Sequence, residues 1–379
     1  MQRRATASTS PLGSTGKAHR MIAAEMDPPE IRVAAVETCP RPPHSPDRGS
    51  SQPTPPPARG TSISLLSMSL GTAGVAGAWD SAVALVGAPV RVSDALFALS
   101  GLMWTVLFGM YLVRGGYRWR HFLHDLHHPQ FGYAFAYVPI IGMLSAGHFS
   151  RYGLLPARLA YVLFCAVALT VSARLLAHWF TGGLSSVTLH PGYMLPLTSS
   201  PFIASSVASV VRWHHLALAL FAVGIMYWLT FGTVILGSLV SNGNRLPTAA
   251  RPTLAVLMIP PATGGIAWMA SRHGQIDGVA YGLAGILAFT ALMTVMMLPA
   301  MRQTAFHLGF WVFLFPIAAS SNFTIRLING SGLSAARPLT WTLLGLVSGG
   351  LGVLYTATVV HGMRGRRCQI RARRHRRVG

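Results

Sequence analysis

Charge is scarce in this sequence, and acidic charge above all. Charged residues make up 10% of the 379 residues, and hydrophobic residues make up 51%. Typical soluble proteins carry about 25% charged residues, so this balance excludes an ordinary soluble domain and predicts an integral membrane protein. Nine Asp and Glu stand against 30 Lys and Arg, so most of the few charges are positive.

Acidic residues nearly disappear after residue 60, where four remain: Asp80, Asp94, Asp125 and Asp277. All four are predicted to lie at helix ends or in loops, so we expect no carboxylate in the middle of the membrane. Proton-coupled carriers commonly use buried Asp, Glu or His relays, and cation channels often use acidic rings. The sequence therefore disfavours both, whereas a path without acids and flanked by arginines favours anions.

Cysteines and catalytic motifs are also few. Cys39, Cys165 and Cys368 lie far apart and give neither a disulfide framework nor a zinc spacing. The sequence contains no Gly-rich phosphate loop, serine nucleophile motif or P-loop lysine. We therefore expect no enzyme activity and no cofactor.

One histidine cluster requires a separate interpretation. His124, His127 and His128 have the HxxHH spacing of membrane di-iron desaturases, and His121 precedes them. A metal site of that kind needs several histidine clusters, and the other histidines are scattered. A solvated, partly basic linker is the preferred interpretation, with a metalloenzyme as the alternative.

The two ends of the chain differ from its apolar middle. Residues 1–60 are rich in Pro, Ser, Thr and Arg, lack apolar periodicity and are predicted to be disordered. Residues 363–379 form a predicted basic tail with eight arginines, from Arg364 to Arg377. Because these arginines form a tail rather than a face, we expect attraction to anionic lipid at the cytoplasmic side and no nucleic-acid binding.

Ten mostly apolar segments lie between the tails, in residues 61–362, and each is close to the roughly 20 residues that a membrane-spanning helix needs. The predicted limits are 61–79, 92–114, 131–149, 155–178, 190–210, 214–239, 251–271, 278–300, 305–326 and 338–362. The short links between them make neighbours antiparallel. We therefore predict an all-α membrane protein with ten transmembrane helices in five hairpins. An even number of spans places both termini on the same side of the membrane, and the eight-arginine C-terminal tail predicts that this side is the cytoplasm, with the protein in the cell membrane.

Proline recurs in every second segment. The third segment carries Pro139, the fifth carries Pro196 and Pro201, the seventh carries Pro260 and Pro261, and the ninth carries Pro316. The first segment carries Gly71 with two further glycines instead. Proline costs about 3 kcal/mol inside a helix, so its repetition predicts a shared purpose. We expect these prolines and Gly71 to kink five inner helices, which line a pore inside an outer ring of five regular helices. The alternative is that these residues only shape helix packing.

Six sequence pieces, in this order and spacing, resemble the tellurite-resistance/C4-dicarboxylate transporter family, which includes bacterial homologues of the plant slow-type anion channels. The pieces are SLGTAGVAGAW (69–79), HP with the later proline (128–139), HPGYMLP (190–196), LPTAARPTLAVLMIPP (246–261), HGQID (273–277) and GFWVFLFP (309–316). The resemblance covers about residues 62–362. It implies a quasi-fivefold arrangement of five hairpins around a central pore, and a homotrimer in which each protomer has its own path.

The resemblance also implies a gate. The family's pore is occluded by a phenylalanine on the ninth helix, and the aromatic run of GFWVFLFP places that role on Phe315, with Phe313 as the fallback. Pro201 and Pro316 depart from the family pattern. We predict a channel or channel-like transporter that passes small inorganic or dicarboxylate anions. The alternative is a proton-coupled C4-dicarboxylate (malate) carrier or an exporter of tellurite or sulfite.

Overall fold

A computed structural model describes residues 61–183, 190–241, 248–301 and 306–378 of the chain. The predicted disordered tail, 1–60, lies outside these described residues. The described part is helical and contains no strand. Its α-helices are α1 (Thr61–Ser64), α2 (Leu66–Val86), α3 (Val90–Tyr111), α4 (Trp119–Leu126), α5 (Tyr137–Phe149), α6 (Leu154–His178), α7 (Ser200–Val210), α8 (His214–Ser241), α9 (Ile259–Ser271), α10 (Gly278–Met301), α11 (Leu314–Gly330) and α12 (Ala336–Val378).

Seven helical stretches in the described residues are long and apolar enough to cross a membrane. They are Val90–Arg114, Leu154–Gly183, His214–Val240, Thr253–Ser271, Gly278–Pro299, Leu308–Gly330 and Ala336–Arg364. The protein is therefore a multi-pass membrane protein. Three of the ten predicted spans, which correspond to α2, α5 and α7, are not in this set. As α-helices, α5 and α7 have only 13 and 11 residues.

Five helices contact one another in a closed cycle: α2 with α5, α5 with α7, α7 with α9, α9 with α11, and α11 with α2. Each of the long helices α3, α6, α8, α10 and α12 packs against two neighbours in that cycle. Burial follows the same division, because 83% of the apolar window around α9 is buried, against 17% for α3 and for α12. We call α2, α5, α7, α9 and α11 the inner helices.

The prolines stand where inner helices change conformation. Segments of 3₁₀-helix precede α5 (Gly132–Ala136), α9 (Thr248–Met258) and α11 (Leu308–Phe313), and a π-helical turn (Leu195–Ser199) precedes α7. Pro139, Pro201, Pro260, Pro261 and Pro316 then lie in the first turn of the following α-helix, and Pro196 lies in the π-helical turn. A first turn needs no N–H from its prolines. The prolines therefore begin the α-helices and do not interrupt them.

Helix α2 contains glycines in place of proline, and these glycines face α11. A Cβ at Gly71 would lie 3.0 Å from the Leu314 side chain. A Cβ at Gly74 would lie 2.9 Å from the Phe315 ring, and one at Gly77 would lie 3.3 Å from Asn322 Nδ2. The three missing side chains allow α2 and α11 to approach closely.

Two helices extend beyond their predicted ends. Helix α2 continues to Val86, so Asp80 lies inside it, and the prediction that Asp80 lies at a helix end or in a loop is wrong. Asp94 lies near the N-terminal end of α3, as predicted. Helix α12 continues to Val378 without a break at residue 362, so the basic segment 363–378 prolongs the last helix.

Candidate functional site

A narrow gap lies where the inner helices converge. It has about 190 Å³ of space between atoms and admits no water-sized sphere. Its wall takes side chains from all five inner helices or the turns that precede them: Ser67, Leu70, Tyr137, Leu195, Ile259, Trp311, Val312 and Phe315. The gap therefore lies where side chains from the whole cycle of inner helices meet.

Among the residues that line the gap, Phe315 is the one whose ring packs against Gly74 of α2. It lies in the first turn of α11, directly before Pro316, and only 4% of its surface is exposed. Its ring occupies the space that a side chain at Gly74 would need. Phe313 ends the preceding 3₁₀ segment, is partly exposed and does not line the gap. The geometry therefore favours Phe315 over Phe313 as the blocking ring.

The lining of the gap is almost entirely apolar. Its polar side-chain groups are the Ser67 hydroxyl, the Tyr137 hydroxyl and the Trp311 indole N–H. The indole N–H is already bonded, because it donates to Thr358 Oγ1 at 2.8 Å. An apolar constriction narrower than a water molecule excludes hydrated ions. Phe315 is one of the side chains that make this constriction apolar.

A charged cluster at the C-terminal side of the inner helices was not predicted from the sequence. His148, on α5, has a side chain that is 1% exposed and lies between two carboxylates. Its Nδ1 is 3.0 Å from Asp80 Oδ1, and its Nε2 is 2.8 Å from Asp94 Oδ1. The Phe97 ring stacks on the imidazole at 4.2 Å between centroids. Two of the acids that the sequence placed at helix ends thus meet at one buried histidine, with their own side chains 28% and 30% exposed.

Two residues after α5 complete this cluster. The Arg151 guanidinium donates to Asp80 Oδ1, and the Tyr152 hydroxyl donates to Asp94 Oδ2 at 2.8 Å. The bond to Asp94 raises the pKa of the Tyr152 hydroxyl. Both carboxylates therefore have partners, which is what a buried carboxylate requires. The only sequence signal was that a histidine, an arginine and a tyrosine fall within five positions of the third apolar segment's end.

The HxxHH histidines do not come together as metal ligands in the described residues. No group of three or more His, Cys, Asp or Glu there is arranged to hold a metal ion. His127 instead stacks on His178, with ring centroids 3.8 Å apart. Burial, followed by the charges of His178 and Arg174, lowers the pKa of His127. His128 is on the same turn, and its Nδ1 accepts the Gln130 backbone N–H.

The same backbone bond recurs before other inner helices. His190 Nδ1 accepts the Gly192 N–H, and His307 Nδ1 accepts the Gly309 N–H, each at 3.1 Å. With His128, three histidines thus hold the turns that lead into α5, α7 and α11. The bonds explain why histidine precedes these segments, and they assign it a structural role.

The sequence matches one protein family over most of its length and is similar to several characterised proteins. A profile of the SLAC1 family, described as voltage-dependent anion channel, matches residues 61–363. The tellurite resistance protein TehA homolog of Haemophilus influenzae is 24% identical over 265 residues, which are 70% of this chain and 80% of that protein. The S-type anion channel SLAH4 of Arabidopsis thaliana is 27% identical over 208 residues, 52% of this chain and 56% of the plant protein. The guard cell S-type anion channel SLAC1 of the same plant is 25% identical over 190 residues, 50% of this chain and 34% of the relative.

Proposed function

The chain belongs to the voltage-dependent anion channel (SLAC1) family, and from this premise we propose that it passes small anions along the axis of the inner helices, with Phe315 as the gate. The relatives are named as anion channels and as a tellurite resistance protein, not as enzymes. One observation carries the proposal. The five inner helices, which follow one another in a closed cycle, all contribute to the gap that the Phe315 ring blocks.

Anions rather than cations are the proposed cargo. In the described residues the carboxylates of Asp80 and Asp94 are both bonded to neighbouring side chains, so neither offers a free charge to a cation. The remaining charges of the chain are mainly arginines. A positive mean potential lowers the cost of moving an anion into a low-dielectric path.

The proposal includes a topology. With the turns that precede them, α5 and α7 extend over 132–149 and 191–210, and α2 is 21 residues long. We propose that these three segments span the membrane with the seven longer stretches, which gives ten spans in five hairpins of quasi-fivefold arrangement. Both termini then lie in the cytoplasm. The homotrimer that the family resemblance implies is part of the proposal, and native mass spectrometry of the protein in detergent measures it.

A second candidate is favoured by the His148 cluster. His148 is hydrogen-bonded to two carboxylates, and proton-coupled carriers commonly contain Asp, Glu and His side chains grouped in this way. The second candidate is therefore a proton-coupled carrier of C4-dicarboxylates such as malate. An exporter of tellurite or sulfite remains a variant of the same idea.

One experiment separates these candidates. Purified protein in planar bilayers is measured under chloride, nitrate and malate, with and without a proton gradient. A channel gives current whose reversal potential follows the anion gradient and which persists when the proton gradient is dissipated. A carrier loses its transport with the gradient. Absence of both current and flux, for the wild type and for Phe315→Ala, refutes the proposal.

A further inference from the structure

Arg326 is a charged side chain on α11 that the gate does not involve. Two opposite sides of α11 are identified by their contacts. Leu314 and Ala318 pack with α2 and α12, whereas Phe323 packs with α9 and α10. The face of α11 between these two sides carries Phe315 and faces the axis of the inner helices.

Helical periodicity places two more residues in that direction. At 100° per residue, Asn322 and Arg326 lie within about 20° of Phe315 around α11. At 1.5 Å per residue, Arg326 lies about 16 Å beyond the gate along the helix. It therefore faces the path on the C-terminal side of the inner helices.

The Arg326 guanidinium is hydrogen-bonded through Nε. Its two terminal nitrogens have no partner in the described residues. Its Nε donates to Asn322 Oδ1 at 3.0 Å, and the Ser81 hydroxyl donates to the same oxygen at 2.6 Å. These bonds tie α2 to α11 and fix the orientation of the guanidinium. Within the described part of the chain, no bond or ion pair to the terminal nitrogens of Arg326 is found.

The nearby acids do not neutralise this charge. Asp80 is the acid that interacts electrostatically with Arg326, but its carboxylate is bonded to His148 and Arg151. Asp94 is bonded to His148 and Tyr152. A partly buried guanidinium without a carboxylate partner carries a desolvation cost that an anion in the path offsets.

We propose that Arg326 is the residue that holds the permeating anion on this side of the gate and sets its selectivity. The inference rests on the proposed function. Two terminal N–H groups in a planar fork match two oxygens of a planar oxyanion, whereas a spherical anion takes no advantage of the fork. The preferred class is therefore a small planar oxyanion, such as nitrate or a carboxylate, over chloride.

The test uses Phe315→Ala as the background, so that the path is open. Arg326→Gln keeps a hydrogen bond for Asn322 and removes the charge, and Arg326→Lys keeps the charge and removes the fork. Arg337→Gln is the matched control, because Arg337 is exposed at the start of α12, on the same side of the protein. Conductance and the nitrate-to-chloride permeability ratio are measured in planar bilayers.

Arg326→Gln is expected to lower conductance about three- to tenfold in about 0.01 M salt and much less in about 1 M salt, where the charge is screened. Arg326→Lys is expected to restore the chloride conductance but not the preference for nitrate. Arg337→Gln is expected to change neither quantity. An Arg326→Gln variant with the conductance and permeability ratio of its background overturns the inference.

Binding gives a readout that does not require current. Nitrate is added to the purified wild type and to the same variants in detergent, and thermal unfolding is followed. Nitrate is expected to raise the melting temperature of the wild type and Arg337→Gln but not of Arg326→Gln. An equal rise in all three overturns the anion site. Stabilisation that depends on Arg326, in a protein without any anion current, instead refutes the proposed transport and leaves the site standing.

Discussion

Substitution of Gly74 by Ala tests how closely the gate ring is held. The added Cβ would lie 2.9 Å from Phe315 Cδ2 and 3.1 Å from the Ala318 Cβ. Carbon atoms in contact prefer about 3.5–4.0 Å. Because the Ala318 Cβ is fixed to the backbone of α11, the strain is relieved only if the helices separate or the Phe315 ring turns into the gap it borders.

The expected magnitude follows from overpacking, which costs about 1–3 kcal/mol when one methyl group enters a packed interior. Each 1.4 kcal/mol changes an equilibrium tenfold. If the strain is relieved by displacement of the ring, the open population and the resting anion current rise about 5- to 140-fold. Replacing Gly by Ala also stabilises a helix by about 1 kcal/mol. The control variant must therefore contain the same replacement inside a helix.

Gly109→Ala, on α3, is that control, because a Cβ there meets nothing within 4 Å. Both variants are measured as anion current in planar bilayers and as melting temperature in detergent. The reasoning predicts a raised current for Gly74→Ala alone. It is refuted if Gly74→Ala and Gly109→Ala have equal currents and equal melting temperatures.

Three further predictions concern other parts of the structure. His148→Ala leaves Asp80 and Asp94 without their shared partner, and we expect a lower melting temperature, measured by thermal unfolding against the wild type. Pro316→Ala is expected to cost under about 1 kcal/mol, whereas Ser320→Pro, inside α11, is expected to cost about 3 kcal/mol; equal losses contradict the first-turn assignment. Burial lowers the pKa of His127, so its contribution to stability is complete above the unfolded value of about 6.5 and declines as the pH falls below it. His127→Gln is therefore expected to flatten the loss of melting temperature between about pH 7 and pH 5, and an unchanged slope contradicts it.

Much of the fold was predictable because its signals are local. Apolar length predicted a helical membrane protein, and the six sequence pieces predicted the family, which the comparisons confirm. Glycines in the first segment predicted that α2 belongs with the proline-containing inner helices. The partner α11 was not predictable from spacing alone, because Ser81 and Asn322 are 241 positions apart in the chain.

The main errors came from long-range pairing. Asp80 was placed just outside the first span, whose predicted limits were 61–79. Its partner His148 lies 68 positions later, and only the packing of α2 against α5 brings the two together. The prolines were expected to bend helices, but most of them lie in the first turn of an α-helix. Where each α-helix begins, after a 3₁₀ or π-helical turn, cannot be predicted from composition.

The gate is tested most directly by anion current through Phe315→Ala, with Phe313→Ala as the matched control two positions away. Both changes remove one phenyl ring from the same helix start, but only Phe315 lines the closed gap. The structure predicts a large, steady anion current for Phe315→Ala and a current close to that of the wild type for Phe313→Ala. Equal currents in the two variants, or an increase with Phe313→Ala alone, would contradict the assignment of Phe315 as the gate.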